Sequence, residues 1–249
     1  MMGLRNQLLG AALSTSMAFG APGLAEAAPT NYYPGTETAT DCPTSVKNLG
    51  EVTPTCMKAA QALLRADGFV DPTIAYAVGA FQIEAGITSQ NQSGFGNIGP
   101  ATYSSIMSGA GIAKMNSAKD KRNNAVVIDK SDQTIVAYRY GKVLLADLTS
   151  TGKSTSYQDR ETADGSFVVQ RSRTSESGWV HSDLEANGAE PQLYRPRYVN
   201  GKVAVHGTRV VSHLGRKDSH GCARTNPSFQ DALIAAGVLD IGDTVIIQE

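Results

Sequence analysis

The stretch "SHGCARTN", residues Ser219 to Asn226, places a serine, a histidine, a glycine and a cysteine side by side. The chain has 249 residues and only three cysteines, so at least one of them has no disulfide partner within the chain. A cysteine in such a setting can be a nucleophile, a metal ligand or a packing residue. The rest of the sequence helps to choose among these roles.

The N-terminus has the pattern of a secretory signal peptide. One early charge, Arg5, is followed by the apolar run "LLGAALSTSMAFG" and then by "GLAEAAPT". We expect cleavage after Ala27, because Ala25-Glu26-Ala27 fits the small-x-small rule. The apolar run is shorter than the about 20 residues that span a bilayer. We therefore predict a signal peptide over 1–27, a flexible lead-in over 28–41, and a secreted or periplasmic protein with no membrane span after cleavage.

Export determines how the cysteines are interpreted. Disulfides persist in oxidising compartments, and Cys42 and Cys56 lie close together in the sequence, so we expect a bond between them. Such a short closed loop contributes about 3 kcal/mol in the chain-entropy model. Cys222 is then left as a thiol, and its polar neighbours do not suit an inert buried cysteine.

Residues 42–109 have the periodicity of short helices. Apolar residues recur at helical spacing in "CMKAAQALLRADG" and "DPTIAYAVGAFQIEAG", and "GPATYSSIMSG" has a proline at its start and a glycine at its end. We predict a small three-helix domain here. The residues over 110–124 are small and polar, which predicts a linker.

The sequence over 125–249 is rich in strand patterns. The segments "AVVIDK", "TIVAYRY", "VLLADLTS", "SFVVQRS" and "DTVIIQE" are typical of strands, and Asn200-Gly201 is a strong hairpin signal. One late helix is predicted in "NPSFQDALIAAG", with Asn226 as its cap and Gly237 at its end. We therefore predict a mostly β catalytic domain over 125–249.

Composition narrows the function further. The chain is 41% hydrophobic with a formal net charge of −1, which indicates a globular protein and gives no indication of nucleic-acid binding. Within residues 195–224, however, seven basic residues stand against one acidic residue. This imbalance favours an anionic substrate near Cys222, and we expect the same charges to lower the pKa of its thiol.

Two histidines could serve as the base for Cys222. We favour His206 over His220, because His206 ends the alternating strand "GKVAVHG" and a Cys–His pair needs only closeness in space. Gly221 allows a close backbone approach, so the amides of Gly221 and Cys222 could stabilise an oxyanion.

A zinc site formed by His206, His220 and Cys222 is the competing interpretation. The paired short ligand spacing of such sites is missing, and no H-E-x-x-H motif is present. We predict no metal and no cofactor.

The segments "VAVHGT", "LGRKDSHGCARTNPSFQDALIAAG" and "GDTVIIQE" resemble the L,D-transpeptidase catalytic domain of bacterial cell-wall enzymes. Supporting matches are "TSTG" (Thr149 to Gly152) and "TADGSF" (Thr162 to Phe167), in which Ala163 stands where the family often has proline. Over roughly 46–108, the Phe81-Gln82 pair and Gly99-Pro100-Ala101-Thr102 resemble a peptidoglycan-binding domain.

The resemblance implies a β-sandwich with a short helix and a defined reaction. Cys222 would attack a tetrapeptide stem of peptidoglycan, release the terminal D-alanine and form a thioester, which an amine of another stem then accepts. Peptidoglycan is the implied partner, and β-lactams of the carbapenem type are the implied covalent inhibitors.

The same resemblance implies roles for the residues around Cys222. His206 would act as base, oriented by the carbonyl of Gly207. Backbone amides of His220, Gly221 and Cys222 would form the oxyanion hole. Ser219 would brace this loop, and Arg224 would fix it or meet a substrate carboxylate.

Two other functions remain open at this point. An L,D-carboxypeptidase would form the same acyl-enzyme but use water as the acceptor. A non-catalytic protein would instead bind the wall through the helical domain.

Overall fold

The structure is a computed structural model that describes residues 41–69, 74–90, 92–117, 124–156, 158–182, 190–201 and 203–249. The predicted signal peptide (1–27) and all but the last residue of the predicted lead-in (28–41) lie outside these ranges. None of the described helices is long and apolar enough to cross a membrane.

The N-terminal half of the described chain is helical. A 3-10 turn over Leu49–Glu51 precedes four helices, which are α1 (Pro54–Ala66), α2 (Ile74–Glu84), α3 (Pro100–Ser108) and α4 (Ala110–Ser117). Thr53 caps α1 by accepting a hydrogen bond from the Cys56 amide. A disulfide joins Cys42 to Cys56 at the start of this region.

Helix α4 lies where we expected a linker, so that prediction is wrong for residues 110–117. Gly109 adopts a φ of +75° and ends α3, and α4 begins at the next residue. Ile112 and Met115 of α4 are buried. The small residue Gly111 lies where a side chain would collide with the Phe81 ring, so the composition that suggested a linker instead allows close helix packing.

The Phe81-Gln82 pair organises the helical region. The Gln82 side-chain nitrogen lies within hydrogen-bonding distance of the Gly94 and Asn97 carbonyls and the Thr102 hydroxyl, which share its two N–H donors, and its side-chain carbonyl accepts from the Gly96 amide. Because this amide group is buried and its hydrogen-bonding capacity is used within the fold, Gln82 holds the loop before α3 in place.

The C-terminal half forms two five-stranded sheets. The strands are β1 (Asn124–Asp129), β2 (Thr134–Arg139), β3 (Lys142–Leu148), β4 (Gly165–Val168), β5 (Arg171–Ser172), β6 (Trp179–Val180), β7 (Leu193–Asn200), β8 (Val203–Gly207), β9 (Ala223–Thr225) and β10 (Thr244–Gln248). The first sheet has the order β3-β2-β1-β10-β4, and the second has β5-β7-β8-β9 with β6 also paired to β7.

The hairpin and the late helix lie where the local signals predicted them. β7 and β8 pair antiparallel on either side of Gly201, whose φ is +55°. Helix α5 (Pro227–Ala235) begins after Asn226, which accepts from the Ser228 amide. The segment "SFVVQRS" does not form the single strand that we expected. Strand β4 ends at Val168 in the first sheet, and β5 begins at Arg171 in the second sheet.

The first sheet is buried on both faces. In β1, Val126 and Ile128 face the core between the two sheets and α5, whereas Ala125 and Val127 face a second core shared with the helices. Continuous apolar strands of this kind suit a sheet covered on both sides. The helical region therefore packs directly against the sheet.

A carboxylate also joins the helices to this sheet. Glu84, the last residue of α2, accepts a 2.6 Å hydrogen bond from the Thr134 hydroxyl of β2. Burial is the main reason that the pKa of Glu84 rises to about 7, and the nearby Asp129 and Asp132 raise it further.

Candidate active site

Two neighbouring strands carry the predicted nucleophile and base. β8 and β9 run parallel, with His206 opposite Arg224 and Val205 opposite Ala223, and Cys222 lies one residue before β9. Opposite residues and alternate residues in a sheet share a face. His206 and Cys222 therefore project from one face, while Val205 and Ala223 point into the core between the sheets.

The strand geometry also sets the separation of the pair. Adjacent strands lie about 4.8 Å apart and rise about 3.3 Å per residue, so two positions offset by two residues on neighbouring strands have Cα atoms about 8 Å apart. An imidazole and a thiol together can span that distance.

The His206 imidazole is held in one tautomer. Its Nδ1 lies 2.8 Å from the carbonyl oxygen of Gly207, which can only accept, so Nδ1 carries the proton and Nε2 presents a lone pair. Burial lowers the pKa of His206 to about 4, against the opposing effect of this carbonyl. Gly207 leaves no room for a side chain, because a Cβ there would lie within about 3 Å of Tyr194 and Pro227.

The thiol of Cys222 does not have the low pKa that we expected. Cys222 is in no disulfide and is half-buried. Burial raises the pKa of its thiol, and a backbone hydrogen bond with Ala204 and the charge of Arg224 only partly oppose this. The expectation failed because the loss of water around the thiolate outweighs the attraction of the basic residues.

Ser219 fixes the turn that leads into Cys222. Its hydroxyl accepts from the Gly221 amide at 3.1 Å and donates to the Cys222 carbonyl at 2.5 Å. Gly221 has a φ of +111°, a conformation that favours glycine. Its N–H is directed at Ser219 in this structure, so it does not point toward an oxyanion as the sequence had led us to expect.

Thr162 connects three segments around the site. Its buried hydroxyl accepts from the Gly152 amide at 2.7 Å and donates to the Gly221 carbonyl at 3.0 Å. The "TSTG" and "TADGSF" segments are thereby attached to the turn before Cys222. Both motifs are recognisable in the sequence, but no local signal there indicates a role for Thr162.

Arg224 and His220 occupy different environments. The Arg224 guanidinium donates to the Asp218 carbonyl at 3.2 Å, and its backbone exchanges hydrogen bonds with Ser150, so Arg224 braces the loop. His220 is exposed. The partial loss of water around its ring is the first cause that lowers its pKa, and the charges of Arg160 and Arg224 lower it further.

An ion-pair network connects the segments that lead into Thr162 and into the "SHGC" turn with the C-terminal residue. The buried Lys130 ammonium contacts Asp164 at 2.9 Å, Glu249 at 3.1 Å and Glu161 at 3.4 Å. Lys217, just before the "SHGC" turn, pairs with Glu161 and Glu249. Burial alone would lower the pKa of Lys130, but the three carboxylates outweigh it and raise that pKa. No short motif in the sequence points to this network.

Within the part of the chain that the structure describes, no group of three or more His, Cys, Asp and Glu side chains is arranged to hold a metal ion.

A family model described as the L,D-transpeptidase catalytic domain (YkuD) matches residues 123–247, which is half of the chain. The chain belongs to the L,D-transpeptidase family. The predicted family, the mostly β catalytic fold and the enzyme class are thereby confirmed, and membership implies a part in peptidoglycan cross-linking. The resemblance of residues 46–108 to a peptidoglycan-binding domain stays a prediction.

Solved structures of other L,D-transpeptidases are similar to this one. The enzyme from Xylanimonas cellulosilytica is 26% identical with a TM-score of 0.61, and the similarity covers 78% of this chain and 93% of that chain. It therefore extends beyond the segment that matches the family model.

Two further L,D-transpeptidase structures are similar over about half of this chain. The E. faecium catalytic domain is 21% identical with a TM-score of 0.42, covering 52% of this chain and 99% of its own. The Mycobacterium smegmatis enzyme is 22% identical with a TM-score of 0.41, covering 51% and 59% respectively. No curated protein matched the chain.

Proposed function

We propose that Cys222 is the nucleophile of this L,D-transpeptidase and that His206 is its base. The observation that carries the proposal is the hydrogen bond from His206 Nδ1 to the Gly207 carbonyl, which leaves Nε2 as an acceptor on the face that also presents Cys222. With its pKa near 4, the imidazole is neutral and able to accept a proton at physiological pH.

The raised pKa of the thiol determines the order of events. Cys222 is a thiol at neutral pH, so its proton passes to His206 Nε2 as sulfur attacks the substrate carbonyl. The amide C–N bond then breaks, the proton goes to the leaving D-alanine amine, and a thioester to Cys222 remains. An acceptor amine attacks the thioester and transfers its own proton to His206, which restores the thiol.

The developing oxyanion would be stabilised by backbone amides of the turn. We assign this role to Cys222 and His220, because the Gly221 amide is engaged by Ser219. Gly221 contributes through its conformation, Ser219 by bracing the turn, and Arg224 by holding the loop through Asp218.

The substrate we propose is a tetrapeptide stem of peptidoglycan, and the acceptor is a side-chain amine of a second stem. The bond energy is conserved in the thioester, so no ATP is needed. This suits export, with the signal peptide over 1–27 removed and the helical region and catalytic domain both facing the cell wall. We also propose carbapenem-type β-lactams as covalent inhibitors.

Intact mass after exposure to a carbapenem tests the nucleophile. We expect one covalent adduct on the wild type and none on Cys222→Ala. An adduct on neither protein would contradict the assignment of Cys222 as the nucleophile.

Product analysis with and without an amine acceptor tests the transfer step. Cross-linked stems are expected when the acceptor is present. Release of D-alanine and tripeptide stems alone would instead indicate an L,D-carboxypeptidase. His206→Ala should abolish turnover and slow acylation more than His220→Ala, and equal effects would argue against His206 as the base.

A further inference from the structure

One arginine beside the turn Ser219–Cys222, called the reactive turn below, has no role in the mechanism above. Arg160 lies in the loop between β3 and β4, and its carbonyl oxygen is 3.6 Å from the point that a Cβ on Gly221 would occupy. A Cβ on Gly152 would collide with the same carbonyl. The backbone of Arg160 is therefore held against the turn that carries Cys222, and Thr162, two residues later, ties the loop to the same turn.

The Arg160 side chain extends from this fixed backbone into a partly exposed position. Its guanidinium contacts the neutral side-chain carbonyl of Gln158. Among the described residues no carboxylate forms an ion pair with it, whereas Lys130 and Lys217 pair with acidic side chains and Arg224 donates to a backbone carbonyl. Within the part of the chain that the structure describes, Arg160 thus brings a guanidinium without a carboxylate partner to the edge of the site.

The charge of Arg160 reaches the reactive turn. It is one of two cations that lower the pKa of His220, which lies between Ser219 and Gly221. A negatively charged group that binds next to His220 is therefore attracted by the guanidinium groups of both Arg160 and Arg224. A guanidinium at such a position suits a carboxylate, which it can bind through two parallel hydrogen bonds.

The reaction supplies such a carboxylate. If the donor stem is cleaved before its last residue, the leaving amino acid carries its carboxylate only one carbon from the amine that is released. That carboxylate must then lie close to Cys222, on the side where the leaving group departs.

We propose that Arg160 binds the carboxylate of the group that approaches Cys222, and that it thereby selects donor peptides ending in a free acid next to the scissile bond. The reading of that group as the terminal residue of a stem rests on the proposed function. Carboxylate binding by Arg160 does not, because it rests on the contact of the Arg160 backbone with the turn before Cys222 and on a guanidinium that pairs with no carboxylate among the described residues.

The first test measures charge selection without any turnover. Cys222 is alkylated with iodoacetate, which is anionic, and with iodoacetamide, which is neutral, in the wild type, Arg160→Gln, Arg160→Lys and Lys142→Gln. Lys142 is exposed at the far end of β3, so Lys142→Gln makes the same change in charge away from the site. Adducts are followed by intact mass, and thermal unfolding checks that each variant is folded.

The second test measures D-amino acid release from donor peptides with a free C-terminal acid or a C-terminal amide. We expect Arg160→Gln to reduce the preference for the free acid about tenfold, the size of one partly exposed charge-assisted hydrogen bond. The ratio of iodoacetate to iodoacetamide rates should fall in the same variant. Arg160→Lys should restore part of both ratios, and Lys142→Gln should leave both unchanged.

The outcomes separate this inference from the proposed function. An unchanged alkylation ratio in Arg160→Gln would overturn the inference whatever the turnover. An equal fall in Lys142→Gln would also overturn it, because the effect would then be one of net charge. If the alkylation ratio falls in Arg160→Gln alone while the wild type releases no D-amino acid, carboxylate binding is supported and the proposed reaction is wrong.

Discussion

Replacing Thr162 by valine is the sharpest test of how the reactive turn is held. Valine has nearly the same shape as threonine but no hydroxyl. The Gly152 amide would lose its acceptor and the Gly221 carbonyl would lose a donor, both in buried surroundings. An unsatisfied buried donor costs about 1–3 kcal/mol.

The expected loss of stability is about 2–3 kcal/mol, since the Gly221 carbonyl adds a smaller contribution to that of the Gly152 amide. For a protein of this size, each kcal/mol shifts the Tm by about 2–4 °C, so Tm should fall by about 4–12 °C. Because the turn before Cys222 also loses its tie to the "TSTG" segment, D-alanine release should slow between tenfold and 100-fold.

Calorimetry gives the first quantity and D-alanine release the second, with Thr162→Ser as the matched control. Serine keeps the hydroxyl and removes one methyl group, so it should cost only about 1 kcal/mol and retain most of the activity. If Thr162→Ser proves as damaging as Thr162→Val, the methyl group rather than the hydroxyl holds the site, and the reasoning from hydrogen bonds is refuted.

Two further predictions concern pH, and they oppose each other. The pKa of His206 is near 4 in the folded protein, below its unfolded value of 6.5. As pH falls from 7 to 4, the free energy of unfolding of the wild type should therefore decrease by up to about 3 kcal/mol more than that of His206→Gln. Parallel pH profiles of the two proteins in chemical denaturation would contradict this. The folded pKa of Glu84 is near 7, above its unfolded value of 4.5, so the wild type loses stability as pH rises through this window. Glu84→Gln should therefore be more stable than the wild type at pH 8, by up to about 3 kcal/mol, and similar to it at pH 4. A variant that is less stable than the wild type at both pH values would disprove the raised pKa of Glu84.

Local signals in the sequence predicted an element correctly wherever the conformation of a short segment depends on its own residues. The Asn200-Gly201 turn, the Asn226 cap and Pro100 at the start of a helix each act through neighbouring backbone groups. The "SHGC" stretch was sufficient to identify the family, because so specific a run of residues is rare outside it.

Features that depend on the tertiary fold were not visible in the sequence. The parallel pairing of β8 with β9, which puts His206 and Cys222 on one face of the second sheet, joins strands separated by a long loop. The raised pKa of Cys222 depends on how much water the fold excludes, which a count of nearby arginines does not measure. Thr162 is likewise one threonine among many until the fold brings Gly152 and Gly221 to its hydroxyl.

The core shared by the helices and the first sheet bears on how this enzyme can evolve. The family match starts at residue 123, but Val127, Val136 and Leu148 beyond it face the helices. Leu214, in the loop before the "SHGC" turn, belongs to the same core. The helical region is therefore not an interchangeable module, because recombination at residue 123 would leave an apolar sheet face and the Leu214 side chain in water. Exchange with another N-terminal domain would require outward-facing strand residues to change at the same time, so the two halves are expected to be inherited together.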